Sequence, residues 1–229
     1  MTDEASRPNL TAAIFGGCGM AWAGIASLFW LSLSTPEFRG ISAPWIALMA
    51  GVIAVVLLTF AIVASSVASF LQRRGYWPRL LSGKAILISG AVLLALGIGT
   101  GVYDGIPQVR LKRVVPAAEG IVSDVQVAGF DSFLARRWLL SFHVTSADAE
   151  RIASSLGLQE DKEVDLRRSL GKDPFFSNRG LGGDMVVPEG TRGYFRRFID
   201  GPEDQSVEWI TMAVSEEQQR AWLYVGYQN

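Results

Sequence analysis

Along its first hundred residues the chain alternates long uncharged stretches with short charged ones. Three runs contain no Asp, Glu, Lys, Arg or His: residues 11–35, 40–72 and 85–103. A helix needs about 20 predominantly apolar residues to cross a hydrocarbon core of about 30 Å. The third run just meets that length. The second exceeds it, which predicts a helix that tilts or continues into water beyond Phe70. The expected spans are 11–35, 41–71 and 85–103, within a transmembrane region over 11–104 that follows a tail of residues 1–10. Ser42 is placed to cap the second helix, with Pro44 in its first turn. Trp30, Trp45, Tyr76, Trp77 and Tyr103 lie near run ends, as an interfacial aromatic belt would.

Beyond the third run the period changes from helical to alternating. Residues 105–116 read as a linker, because Gly105, Pro107 and Pro116 are breakers, and residues 117–229 as a separate domain. Residues 121–128 predict a short strand. In 138–144, Trp138, Leu140, Phe142 and Val144 share one face, and Leu139, Ser141 and His143 the other. Thr145 then supplies a hydroxyl cap, Asp148 and Glu150 fill a first helical turn, and Gly157 stops the helix. Residues 159–170 predict a second, charged surface helix. Strands are expected at 192–199, 207–214 and 219–227. The fold class is therefore a membrane protein: three transmembrane α-helices followed by a small α+β domain, its antiparallel sheet covered by a helix on one face. Residues 114–229 are expected to fold alone in water.

Composition sharpens the division. The 229 residues are 49% hydrophobic and only 19% charged, with mean hydropathy +0.26. The part ending at Tyr103 holds six Lys/Arg and three Asp/Glu; the remainder holds fifteen and nineteen. A slightly acidic soluble part argues against nucleic acid as a partner. One His and one Cys leave no disulfide framework and no Cys/His zinc site. Cys18 fits packing within the first helix, and His143 has no orienting partner in the sequence. Glu160, Asp161, Glu163 and Asp165 are interleaved with Lys162, Arg167 and Arg168, the pattern of a solvated face rather than a calcium loop. No catalytic residue, cofactor or metal site is expected.

Charge in the connections predicts orientation. Arg73, Arg74, Arg79 and Lys84 would hold the second connection in the cytoplasm, with the amino terminus. The C-terminal domain is then extracytoplasmic, in a bacterial inner membrane. Arg110, Lys112 and Arg113 oppose this, but long domains translocate largely regardless of charge. The first run is too long for a signal-peptide core and lacks a basic flank.

Uncharged spans argue against a pump or secondary transporter. Small residues do stand out: Ala13, Gly17, Ala21 and Gly24 share a face of the first helix, and Gly97 and Gly101 lie four apart in the third. Gly17, Ala21, Gly97 and Gly101 are the expected helix-packing residues, and packing within the chain's own bundle is the plainer use of them. The other feature is the loop 172–187, long for a segment without secondary structure. It would serve either to cover the sheet's open face or to bind. Phe175, Phe176, Arg179, Leu181 and Met185 are the candidate partner-binding residues, with one phenylalanine turned inward and its neighbour outward. No motif ties the chain to a family. The expected function is a non-enzymatic membrane protein whose C-terminal domain binds a protein partner, as an accessory or assembly subunit or an immunity-type protein. The alternatives are a membrane-anchored, carboxylate-dependent hydrolase acting on envelope material, and a channel-forming homo-oligomer.

Overall fold

Three helices carry almost all of the apolar sequence before residue 103. A computed structural model describes residues 10–74, 83–132, 135–177, 181, 183–200 and 206–228. Helices α1 (Leu10–Ser32), α2 (Arg39–Arg73) and α3 (Gly83–Gly105) are each long and apolar enough to span a membrane. Tyr76 and Trp77 lie outside the described residues, whereas Trp30 and Tyr103 are exposed on helix surfaces. α2 starts earlier than the sequence indicates. A 3-10 turn at Pro36–Phe38 leads directly into it, so Pro44 lies inside the helix and Ser42 is not its cap. The Ser42 hydroxyl is fully buried and donates instead to Ser34 Oγ at 2.9 Å.

By internal contacts the chain divides into two units. The first contains α1, α3 and α2 from Ala43 onward. Small residues let α1 and α3 approach closely within it. A Cβ added to Gly97 would lie 2.2 Å from the Gly24 carbonyl oxygen, and one added to Gly90 would lie 2.8 Å from Gly17 Cα. Gly101 sits against Leu28 and Leu31, and Ala21 is buried on the same α1 face. Gly17, Gly97 and Gly101 thus lie at α1–α3 contacts inside the chain's own bundle, where backbone approach and dispersion replace the missing hydrophobic drive. Trp22 Nε1 ties α1 to α2 by donating to the Ala50 carbonyl at 2.8 Å.

The second unit joins Leu33–Ser42 to Asp104–Asn229. Its first element is α4 (Pro107–Val114), formed by residues expected to be a linker. Pro107 starts this helix instead of breaking a chain, because a first-turn proline sacrifices no hydrogen bond. Leu111 and Val115, four apart, enter the core at 2% and 0% exposure. Arg110 is carried inward with them. Its guanidinium lies 4.1 Å from the Trp138 ring centroid, and its Nε donates to the Asp104 carbonyl at 2.9 Å. Burial lowers its pKa to about 10, opposed by Asp104, so it stays charged at neutral pH.

The strands are β1 (Ser123–Asp131), β2 (Ala135–His143), β3 (Gln159–Glu160), β4 (Arg192–Asp200), β5 (Ser206–Ser215) and β6 (Arg220–Gln228). They form one antiparallel sheet in the order β1-β2-β6-β5-β4-β3. α5 (Ser146–Ser155) is capped as its sequence indicates: Thr145 Oγ1 accepts from the Asp148 amide, and Gly157 follows at φ +65°. The stretch 159–170 is not one helix but β3 followed by α6 (Leu166–Lys172), whose Leu166 and Leu170 are buried.

Alternation places Trp138, Leu140, Phe142, Leu223 and Val225 on one sheet face, under α4 and α5. Leu139, Ala213, Trp222 and Tyr224 point to the other face, for which the sequence offered only the loop 172–187 as a cover. That face is closed. α6, the loop after it and the α1–α2 connection cover it together. Phe38, from that connection, is wholly buried, with Phe130 and Phe176 at 5.9 and 4.9 Å between ring centroids. The connection also extends the edge of β1. Thr35 N donates to the Gly129 carbonyl at 2.9 Å, and Asp131 N donates to the Leu33 carbonyl at 2.7 Å. Gly129 itself stands at φ +146°, where a Cβ would lie 2.0 Å from the Arg137 carbonyl oxygen of the neighbouring β2.

The fragment 114–229 therefore lacks three core contributors, Phe38, Leu111 and the 33–35 edge, and the expectation that it folds alone is not supported by the packing. Phe38→Ala in the full chain should destabilise the domain by about 3–5 kcal/mol, as buried aromatic truncations do. Hydrogen exchange should show the amides of Gly129 and Asp131 losing protection first, ahead of the central β2 and β6. Unchanged protection at Asp131 would mean that the connection is not part of the domain's cooperative unit.

Candidate partner-binding surface

The loop after α6 begins with a residue that holds several groups at once. Asp173 Oδ1 accepts the Phe175 amide at 2.8 Å, and its carbonyl accepts the Phe176 and Ser177 amides at 3.1 and 2.8 Å. These bonds make a tight turn, not an extended strand. Successive side chains point to opposite sides only where the chain is extended. The expectation of one phenylalanine inward and its neighbour outward therefore fails: both turn toward the sheet. Phe176 is 2% exposed and packs against Phe38 and Tyr224; half-buried Phe175 stands 4.9 Å from Phe130 in an edge-on arrangement.

Beneath them lies a buried charged group. The Asp173 carboxylate accepts from the Tyr224 hydroxyl and lies 3.3 Å from Arg137 Nε, with the Arg137 and Asp173 side chains only 7% and 9% exposed. Arg137 also donates to the Tyr227 carbonyl at 2.5 Å and lies 4.5 Å from the centroid of the Trp209 ring. A buried ion pair of this kind repays its desolvation only when hydrogen bonds occupy its remaining donors and acceptors. Here Arg137 Nη1 donates to the Arg136 and Tyr227 carbonyls, the Asp173 carboxylate accepts from a phenol, and an aromatic face lies against the guanidinium. Burial first, and the bond to Asp173 second, push the Tyr224 phenol well above its ordinary pKa.

The far end of the loop is pinned as firmly. Its 3-10 turn, Gly183–Met185, places Met185 and the nearby Val187 in the core at 7% and 3% exposure, with Leu181 packed against them. The Asp184 carbonyl accepts from Ser141 Oγ at 2.7 Å and from Trp222 Nε1 at 2.8 Å. Its carboxylate accepts from Gln126 Nε2 at 3.0 Å and pairs with Arg220 Nη2 at 3.1 Å. Arg220 is itself buried, bonded to Ser141 Oγ at 3.0 Å and ion-paired with Asp124.

Of the five candidate binding residues, Phe175, Phe176, Leu181 and Met185 are thus brought together on the sheet side of the loop. Arg179 lies outside the described residues. What the loop presents outward, among the described residues, is Val186, 52% exposed, with Pro174, Ser177, Gly183 and the Asp184 side chain. Of the charged anchors, Asp173, Asp184 and Arg220 were not singled out by sequence. Arg220 sits at the start of β6, opposite His143 and Ser215, where an exposed turn-flanking charge is the ordinary expectation. His143 is half-buried, and among the described residues no cluster of three His, Cys, Asp or Glu could hold a metal ion.

The Tyr224 shift has a consequence in alkali. As pH rises past the ordinary phenol value of 10.0, the unfolded chain loses the proton first and binds fewer protons than the folded one, so stability falls. The slope for one such group approaches about 1.4 kcal/mol per pH unit. Tyr224→Phe should be less stable near neutrality, through the lost bond to Asp173, yet lose stability less steeply between about pH 10 and 11. Denaturant unfolding of both proteins across that range checks it; parallel slopes would deny Tyr224 the role.

No protein family, no curated protein and no solved structure matches this chain.

Proposed function

We propose that this chain is a non-enzymatic integral membrane protein whose C-terminal α+β domain binds a protein partner through the outer side of the 173–187 loop. The observation that carries the reading is the way the loop is fixed. Asp173 and Asp184 anchor its two ends to buried arginines, while Phe176, Met185 and Val187 hold it to the sheet. A loop that only shielded the sheet would need the apolar anchors alone. Two buried or half-buried ionic anchors, each costly to desolvate, also fix its shape, and a fixed shape lowers the ordering cost of association. Val186 then stands exposed beside these anchors.

Co-purification of the full chain after mild detergent extraction tests this. Val186→Asp, an exposed position, should leave the melting temperature within about 1–2 °C of the native chain but reduce a stoichiometric partner several-fold. Phe176→Ala should lower stability by about 3–5 kcal/mol and lose the partner only in proportion to the unfolded fraction. Turnover by a monomer would instead favour a hydrolase, and a uniform ring of one chain a channel.

The same proposal places the amino terminus in the cytoplasm and the domain outside a bacterial inner membrane. Arg73, Arg74, Arg79 and Lys84 support it through their preference for the cytoplasmic face. Of the opposing cations, Arg110 is buried over Trp138, Lys112 pairs with Glu119 at 2.6 Å and Arg113 pairs with Asp104. They serve the domain's own packing and surface. A phosphatase fused after Asn229 should be active and a fluorescent protein at the same place dark; the reverse result inverts the orientation.

A further inference from the structure

The first unit contains an apolar groove of about 650 Å³ among α1, α2 and α3. Its lining runs from Leu10, Leu71 and Ala85, at one end of the bundle, to Ala21, Leu57 and Leu93. At 1.5 Å of rise per residue these limits correspond to a depth of about 12–21 Å. Half of a hydrocarbon core of about 30 Å is about 15 Å, so the groove is one leaflet deep. On α2 its liners include the small residues Ala64 and Ala68. Its only polar liners are Cys18 and Ser89, too few to hold a water chain, and an apolar cavity of this sort takes apolar guests.

Charge identifies the guest. Arg74, three residues beyond the lining Leu71, and Lys84, next to the lining Ala85, flank that end of the groove, and both are exposed. The Arg74 guanidinium lies 5.1 Å from the Phe70 ring centroid, held at the end of α2. No Asp or Glu occurs between Glu37 and Asp104, and among the sequence neighbours of this end the five cations Arg7, Arg73, Arg74, Arg79 and Lys84 outnumber the two acids, Asp3 and Glu4, that precede Leu10. We infer that the groove is a binding site for one acyl chain of an anionic phospholipid, from the leaflet on the side of the α2–α3 connection, with its headgroup at Arg74 and Lys84. The inference is independent of the partner-binding surface, since it lies in a different unit and uses none of its residues. The acyl chain fills space that no side chain fills, and two cations select a headgroup of net negative charge over a zwitterionic one.

The full chain, purified in mild detergent and offered equimolar phosphatidylglycerol and phosphatidylcholine, tests this by native mass spectrometry. One retained phosphatidylglycerol per chain is expected, preferred over phosphatidylcholine by roughly tenfold or more. Ala64→Leu with Ala68→Leu fills the groove and should lower retention at least about tenfold; Ser69→Leu, at an exposed position of the same helix outside the groove, should not. Arg74→Gln with Lys84→Gln should keep the lipid but bring the two headgroups toward equal retention. Because these charge changes lie on exposed positions, they read the site even if the leucine pair fails to insert. Retention unaffected by the leucine pair in folded protein would overturn the inference. So would equal retention of both lipids by the native chain, a bound fatty acid in place of phospholipid, or a lipid-free dimer.

Discussion

The burial of Phe38 is the contact on which the domain's second face depends. A sheet with apolar side chains on both faces must be covered on both, or it exposes a patch that drives association. α4 and α5 cover one face from within the C-terminal sequence. The other is covered by elements of separate origin, and Phe38 stands where they meet, against Phe130 of β1 and Phe176 of the loop. Aromatic pairs at these separations add roughly 0.5–1.5 kcal/mol beyond the area they bury. Removing this one ring would leave two others facing a void.

Polar anchoring then converts a cover into a shape. Apolar contacts alone tolerate sliding, because they are non-directional. The bonds around Asp173 and Asp184 are directional, and each joins the loop to strands that are central in the sheet, β2 and β6. Trp222 shows the combination in one residue: its ring fills the core while its indole nitrogen donates to the Asp184 carbonyl. The loop's position is thereby set by the same strands that define the sheet.

Much of this was legible in the sequence, and what was not has identifiable causes. The three long helices follow from length and apolarity, and the strand positions from alternation; Thr145 and Gly157 mark both ends of α5 correctly. Pro107 misled because proline both breaks and begins helices, and only the tertiary contacts of Leu111 and Val115 decide between them. That the loop 172–187 could cover the second face was legible, but the part of Phe38 was not, since nothing near it in sequence says that it packs against Phe130 and Phe176, 92 and 138 positions later. The paired phenylalanines misled for a local reason: the turn fixed by Asp173 replaces the extended chain that alternation assumes. Arg137 and Arg220 resemble surface charges in composition, and only the register of β2 against β6 carries them into contact with buried acceptors.

The domain is assembled from two stretches of chain separated by α2 and α3, and this imposes an order in time. The Thr35 and Gly129 groups that bond to each other are 94 positions apart. At ordinary synthesis rates of roughly 5–20 residues per second, the first stretch exists for on the order of ten seconds before its partners have been made. During that interval Phe38 has no aromatic cluster to enter, and both intervening helices must be inserted before the ends can meet. Closing so long a loop costs entropy that is recovered only when the last strands arrive. A nascent chain halted between these stretches would carry a preformed hairpin of membrane helices with an exposed phenylalanine at its tip, a form that quality-control proteases and chaperones are suited to recognise.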